Sequence, residues 1–265
     1  MIIDFHTHMF PHVIAQRTIQ KLSGCIGKLP ATDGTYEGLL ASMKNAGIDK
    51  SIVLPIVTKP SQFRTLNQVA SEYQEGEVLS FGSLHPADDN YKEELRQIKE
   101  MGMKGIKLHP DYQDTYFNDI RYKRIISYAT ELGLIVSVHA GLDPLCPEDI
   151  HCTPQMAAEV LRDVQPDKLV LAHLGGNQQW EEVEEYIVGR DVYLDTAVIF
   201  DYIGEEQFFR IMRNHGSDKI LFATDSPWAE QKRFVEVMKG LPVTEEERER
   251  MLWKNAAGLL GSQEC

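Results

Sequence analysis

The chain opens Met1-Ile-Ile-Asp-Phe-His-Thr-His8, an apolar run that closes on two histidines one residue apart. A strand sends residues i and i+2 to the same face, so both imidazoles are expected at its C-terminal end, pointing together. Neutral imidazole is the commonest protein ligand for zinc and related ions, so the pair is half of a metal site. Asp4 has the same parity and is expected one layer below.

Further along, apolar runs end in ionisable residues in the same way. Gly-Ile-Lys-Leu-His carries Lys107 and His109, Val-Ser-Val-His ends in His139, Val-Leu-Ala-His in His173, and Leu-Phe-Ala-Thr-Asp in Asp225. His85 follows another such run, so six of the nine histidines fall at strand ends. His12, His151 and His215 read as structural residues in loops or at a helix end.

The strands expected are Ile2–His8, Ser51–Val57, Leu79–Leu84, Gly105–His109, Leu134–His139, Lys168–His173, Val192–Thr196 and Ile220–Thr224. Amphipathic stretches alternate with them, among them Tyr36–Ala46, Arg64–Glu75, Tyr91–Met101, Arg121–Leu132, Pro154–Val164 and Glu206–His215. Thr153-Pro154 reads as a helix cap with proline in the first turn, and Thr244 with Glu247 as a capping box. Strict alternation argues for a parallel sheet covered by helices, and eight units in one chain is the closed-barrel number. The expectation is a single-domain (β/α)8 TIM barrel over residues 1–265, its strand ends converging on one pocket. Met9–Gly34 reads as a long irregular connection at that mouth, a lid or substrate wall.

Composition is globular, with 43% hydrophobic and 25% charged residues, and 27 basic against 40 acidic residues leave a net charge of −13. No basic face offsets this, which argues against nucleic acid and against an anionic membrane surface. No segment reaches the roughly 20 apolar residues of a membrane helix. The opening reads directly as a strand, without the basic region or apolar stretch expected of a secretory signal, and the four scattered cysteines read as reduced thiols in a cytoplasmic protein. A zinc site at Cys146, His151 and Cys152 is rejected on spacing.

The ordered set of His-x-His, His, His and Asp resembles the amidohydrolase superfamily, most of all its compact branch with decarboxylases of the aminocarboxymuconate-semialdehyde type. The similarity runs from Asp4-Phe-His-Thr-His8 through Ala172-His-Leu-Gly-Gly176 and Thr224-Asp-Ser-Pro-Trp228 to Asn255-Ala-Ala-Gly-Leu-Leu260. The resemblance implies that His6, His8 and Asp225 ligate a divalent metal, with His139 as a further ligand. It implies that His173 either ligates a second metal or hydrogen-bonds the reactive water, and that Asp225 is the base. Zinc is the expected ion, with manganese, iron or cobalt as alternatives, and one ion is favoured over two.

Lys107 has three readings: a carboxylated bridge between metals, a cationic handle for substrate, and a structural ion pair. The handle is preferred, with His109 contributing to the substrate pocket. Asp195 either orients His173 or caps the next segment. Arg64 and Asn67 read as a solvated helix start, and Trp228 as packing. The function expected is hydrolysis of a small amide, lactone or ester by a metal-activated water. The alternatives are non-oxidative decarboxylation of a small aromatic or unsaturated acid, and a catalytically silent metal-binding barrel. The partner is a small molecule, and a homodimer is the base-rate expectation for the assembly.

Overall fold

A computed structural model describes residues 1–261. Among these residues nine short strands run β1 (Ile3–Thr7), β2 (Lys50–Val53), β3 (Val78–Ser80), β4 (Gly82–Ser83), β5 (Gly105–Leu108), β6 (Ile135–Val138), β7 (Leu169–Leu171), β8 (Tyr193–Asp195) and β9 (Ile220–Leu221). All pair in parallel, in the orders β1-β2-β3 and β4-β5-β6-β7-β8-β9. β3 and β4 are halves of one barrel strand interrupted at Phe81, whose N–H donates to Val53 O at 2.9 Å and joins the two sets. On the other side Phe5 N–H donates to Phe222 O at 2.9 Å and Asp225 N–H to His6 O at 2.8 Å. The sheet therefore closes into an eight-stranded barrel, as expected from the alternation.

Inside, Ile3, Phe5, Ile52, Leu54, Phe81, Ile135, Val170 and Leu221 form one apolar cluster, with Leu259 and Leu260 plugging the lower end. Alternate residues such as Ile106, Leu108, Val136, Val138, Leu169 and Leu171 belong to the second cluster, between strands and helices. The C-terminal segment grips the last strand. Its turn Arg250–Lys254 is a π-helix, and Met251 O accepts from Phe222 N–H at 2.8 Å. Asn255 Nδ2 donates to Ser217 O and Ile220 O, each at 2.8 Å.

The helix signals hold. Thr153 Oγ1 accepts from Met156 N–H at 3.3 Å, and Thr244 and Glu247 form a reciprocal capping box. Two readings need correction. Met9–Gly34 is not irregular: it contains a helix, His12–Ile26, of which only Ala15 and Ile19 are buried. Asn67 is not solvated. It is buried, its Nδ2 donating to Phe63 O and Ser83 O and its Oδ1 accepting from Ser83 N–H.

Alternation also fails in β1. Ile3 and Asp4 pair with Lys50 and Ser51, but Thr7 pairs with Val53, so β1 carries one extra residue. Such a bulge re-aims side chains and is common next to active sites. Here Phe5 faces the barrel interior with Phe81, at 5.9 Å between ring centroids. Asp4 turns instead towards Gln231 and Ser51, on the helix-facing side, so it is not the inward layer beneath His6. It holds the seam: Thr224 Oγ1 donates to it at 2.6 Å and Thr224 N–H at 3.0 Å.

Candidate metal centre

His6, His8 and Asp225 meet at the C-terminal end of the closed seam. His6 Nε2 is 3.2 Å from His8 Nε2, and Asp225 Oδ1 lies 3.4 Å from the first and 3.0 Å from the second. Ligand atoms about 2.0–2.1 Å from one tetrahedral ion sit roughly 3.3 Å apart, so the three donors have the spacing of a shared cation. The tautomer agrees. Asp195 Oδ2 is 2.9 Å from His6 Nδ1 and is an acceptor only, which puts the ring proton on Nδ1 and leaves a lone pair on Nε2. Burial, then the charge of Lys107, hold the His6 imidazole well below its ordinary value and so neutral. Burial pushes the Asp225 carboxyl up, but the hydrogen bond and charge of His8 act the other way and keep it below the ordinary carboxylate value, ionised at neutral pH. The residues fit a divalent ion.

Asp195 is placed more centrally than its sequence suggested. Its Oδ1 accepts from His173 N–H at 2.9 Å and Ala197 N–H at 3.0 Å while Oδ2 takes His6. It orients the ring of His6 and the backbone of His173, not the ring of His173. His173 and Asp225 both sit in the left-handed region, at φ 58° and 69°. That conformation is costly for residues with a Cβ and persists where surrounding bonds over-determine it, typically at working sites.

Lys107 projects inward from β5, fully buried, with Nζ 3.4 Å from His6 Nε2. Burial lowers its ammonium to about 8, against the pull of Asp195 and Asp225. His139 does not join the first three donors. Its Nδ1 is 3.0 Å from His173 Nε2, and its Nε2 belongs with His109 and Asp143, a second group whose donor atoms lie within 4.8 Å of one another. His109 stacks between Tyr112, at 3.7 Å and 7°, and His139, at 4.2 Å and 11°. Burial holds both His109 and His139 well below the ordinary histidine value, and pushes Asp143 up to about 6.

Asp111 and Asp143 were not picked out from sequence. Each follows a strand-end histidine, by two and by four residues, which is the signal that could have found them. The remaining histidines lie outside both groups, His12 as the first residue of the helix His12–Ile26 and not in a loop. His85 Nδ1 accepts from Ala87 N–H, His215 bridges Gly189 N–H and Val192 O, and His151 packs against Asp111 and Tyr116. Cys25, Cys146 and Cys152 are free thiols; Cys265 lies outside the described residues. A surface cleft of about 460 Å³ lined by Tyr91, Lys123, Arg124 and Tyr128 lies between outer helices and contains none of this chemistry. Among the described residues no helix is long and apolar enough to cross a membrane.

The family profile described as amidohydrolase matches residues 3–262. No curated relative matches the chain. Among solved structures, an uncharacterised TIM-barrel protein from Bordetella bronchiseptica is 19% identical with a TM-score of 0.76, over 98% of each chain. The 5-carboxyvanillate decarboxylase of Sphingomonas paucimobilis is 14% identical with a TM-score of 0.72, again over 98% of each. A dihydroxybenzoic acid decarboxylase from Polaromonas, with bound manganese and 2-nitroresorcinol, is 16% identical with a TM-score of 0.73, over 100% of this chain and 98% of that one.

Proposed function

The chain belongs to the amidohydrolase family, and from that premise we propose that it is a metal-dependent, non-oxidative decarboxylase of a small aromatic or unsaturated carboxylic acid. This exchanges the first two expectations drawn from sequence. The observation that carries it is Lys107: a buried ammonium 3.4 Å from the donor nitrogen of His6, inside a pocket that would take an anion. With a divalent ion at His6, His8 and Asp225, the ion, Lys107, Asp225 and Asp195 together leave a local excess of positive charge despite the net −13 of the chain. The decarboxylases of similar fold support the choice.

A divalent ion would be held by His6, His8 and Asp225. Zinc and manganese both suit such a set, and manganese is the ion of the Polaromonas neighbour. When bound it supplies positive charge that polarises an oxygen of the substrate. Lys107 Nζ binds and orients the substrate by a charge-assisted hydrogen bond. Breaking the carbon–carboxylate bond releases CO2 and leaves an electron pair on carbon, which needs a proton. In this reading Asp225, ionised in the resting site, takes a proton from a substrate hydroxyl or water and hands it to that carbon. The imidazoles of His6, His139 and His173 are buried.

The test is a panel of hydroxybenzoic and unsaturated acids, run beside lactones and amides, with CO2 release as the readout and manganese or zinc supplied. Asp225→Asn should lower kcat on the acid that responds by on the order of 10²–10⁴, the range for losing acid–base catalysis. Turnover of a lactone or amide with no CO2 from any acid would return the protein to the hydrolase reading.

A further inference from the structure

The residues of the site lie under cover. His6 and Lys107 each expose 1% of their surface, His173 3%, His109 4% and His139 6%. A substrate reaches them only when part of the rim moves. We propose that residues 9–30, with the helix His12–Ile26 as their body, are a lid on the barrel mouth, held shut by the ion pair of Lys28 with Asp201. The lid serves decarboxylation and hydrolysis alike, so it goes beyond the choice between them.

Connectivity sets its place. The segment leaves directly after His8, whose N–H donates to Ser226 O at 2.6 Å. It returns at Ala31, whose N–H donates to Pro227 O at 2.7 Å, and Phe10 N–H ties the two feet together by donating to Gly34 O at 2.7 Å. Both feet therefore stand beside Asp225. Asp201 follows β8 on the same rim.

Neighbouring rim segments are tied down by several polar bonds. Gln113 Nε2 donates to Val57 O and Leu84 O, each at 2.8 Å, which fixes the turn after β5. After β6, Leu142 N–H donates to Asn177 O at 3.0 Å and Asn177 Nδ2 to Leu142 O at 2.8 Å. In contrast, among the described residues Lys28 with Asp201 is the only hydrogen bond or ion pair between a side chain of residues 9–30 and the rest of the chain. Arg233 holds Asp201 from the other side, so the carboxylate keeps its place when Lys28 leaves.

Apolar contact is thin as well. Ala15, Ile19, Leu22 and Ile26 face the core, while Val13 and Leu29 stand 93% and 88% exposed. Ser23 Oγ is buried with no partner, which lowers the cost of undocking the helix. Few buried contacts mark a segment that opens ahead of the fold. The helix is seated on bare backbone: at Gly34, with φ 75°, a Cβ would stand 2.6 Å from Ile19 Cγ1.

The test reads opening and access separately, on the full chain without added metal or substrate. Hydrogen exchange with mass spectrometry follows the helix His12–Ile26. Initial rates of carbethoxylation by diethyl pyrocarbonate, mapped by peptide, follow access to His109, His139 and His173. His215, buried and facing Val192 O at the other end of β8, reports loosening of the whole fold. Lys28→Met should raise both helix exchange and modification of the site histidines about fivefold, the upper value of an exposed ion pair. Asp201→Asn should match it, and Lys28→Arg should keep the wild-type rates. Gly34→Ala should raise both with the Lys28 and Asp201 side chains intact. Faster helix exchange in Lys28→Met and Gly34→Ala, with His109, His139 and His173 unchanged, would overturn the lid. Unchanged exchange in both Lys28→Met and Asp201→Asn would overturn the latch. Acceleration of His215 in step with the site histidines would overturn the proposal too, since access would then come from unfolding of the whole chain.

Discussion

Replacing Asp195 by asparagine should damage metal binding more than deleting its carboxylate. Oδ1 of Asp195 accepts from two backbone N–H groups, His173 at 2.9 Å and Ala197 at 3.0 Å, so an asparagine must present its oxygen there. Its NH2 is then forced into the place of Oδ2, 2.9 Å from His6 Nδ1. A donor facing Nδ1 makes that nitrogen the acceptor and moves the ring proton to Nε2, the atom that shares a cation with His8 and Asp225. Loss of an outer carboxylate ordinarily costs about 10–100-fold in metal affinity. Forcing the wrong tautomer adds to that, so Asp195→Asn should weaken binding by at least about 100-fold, or roughly 2.7 kcal/mol. Asp195→Ala leaves His6 free to choose its tautomer and should lie within the 10–100-fold range. Competition titration of Zn²⁺ or Mn²⁺ against a chromophoric chelator measures both. Asp195→Asn binding metal as tightly as Asp195→Ala would refute the tautomer argument.

Lys107→Met should leave the metal content unchanged and raise KM about 10–100-fold, the value of a charged hydrogen bond; loss of an ion on this substitution would place the lysine in the metal cage instead. Burial, with Asp88 beside it, pushes the Glu94 carboxyl up to about 7, far from the site. A raised carboxyl favours the protonated folded state. Its stabilising contribution is therefore complete below the ordinary value of 4.5 and is lost as pH rises through about 7. Glu94→Gln should flatten that slope, by on the order of 1 kcal/mol after discounting for the partly solvated surroundings; parallel urea-stability curves against pH for wild type and variant would disprove it.

The barrel and most of the site were legible because period-two alternation survives in straight strands. Lys107, His109 and His139 turn inward as their parity requires. Asp4 does not, because the extra residue between Asp4 and Thr7 leaves no mark on a run that still reads as alternating. The helix His12–Ile26 escaped for a different reason: Ala15, Ile19, Leu22 and Ile26 recur at helical spacing and face the core, but the exposed apolar residues Val13 and Ile14 on the other face blur that stripe. Asp111 and Asp143 lie past the strand ends, in turns whose direction is set by contacts such as Leu145 N–H and His151 N–H rather than by any strand register. His139 shows the same boundary. Its parity placed it in the pocket, but which neighbour its ring would choose depended on the hydrogen bond between His173 and Ala197.

The seam at which the barrel closes also governs when the protein can acquire metal. His6 and His8 are synthesised well before Asp225 and before Thr224, which lies 220 residues beyond its partner Asp4. The last strand is itself secured from behind by Met251 and Asn255. A ribosome-bound intermediate therefore displays two histidines with no carboxylate to complete them and has little hold on an ion. Loading waits for the two ends to meet, and once bound the cation spans the join as a clip, so that metal release and opening of the barrel at this seam become two views of one event.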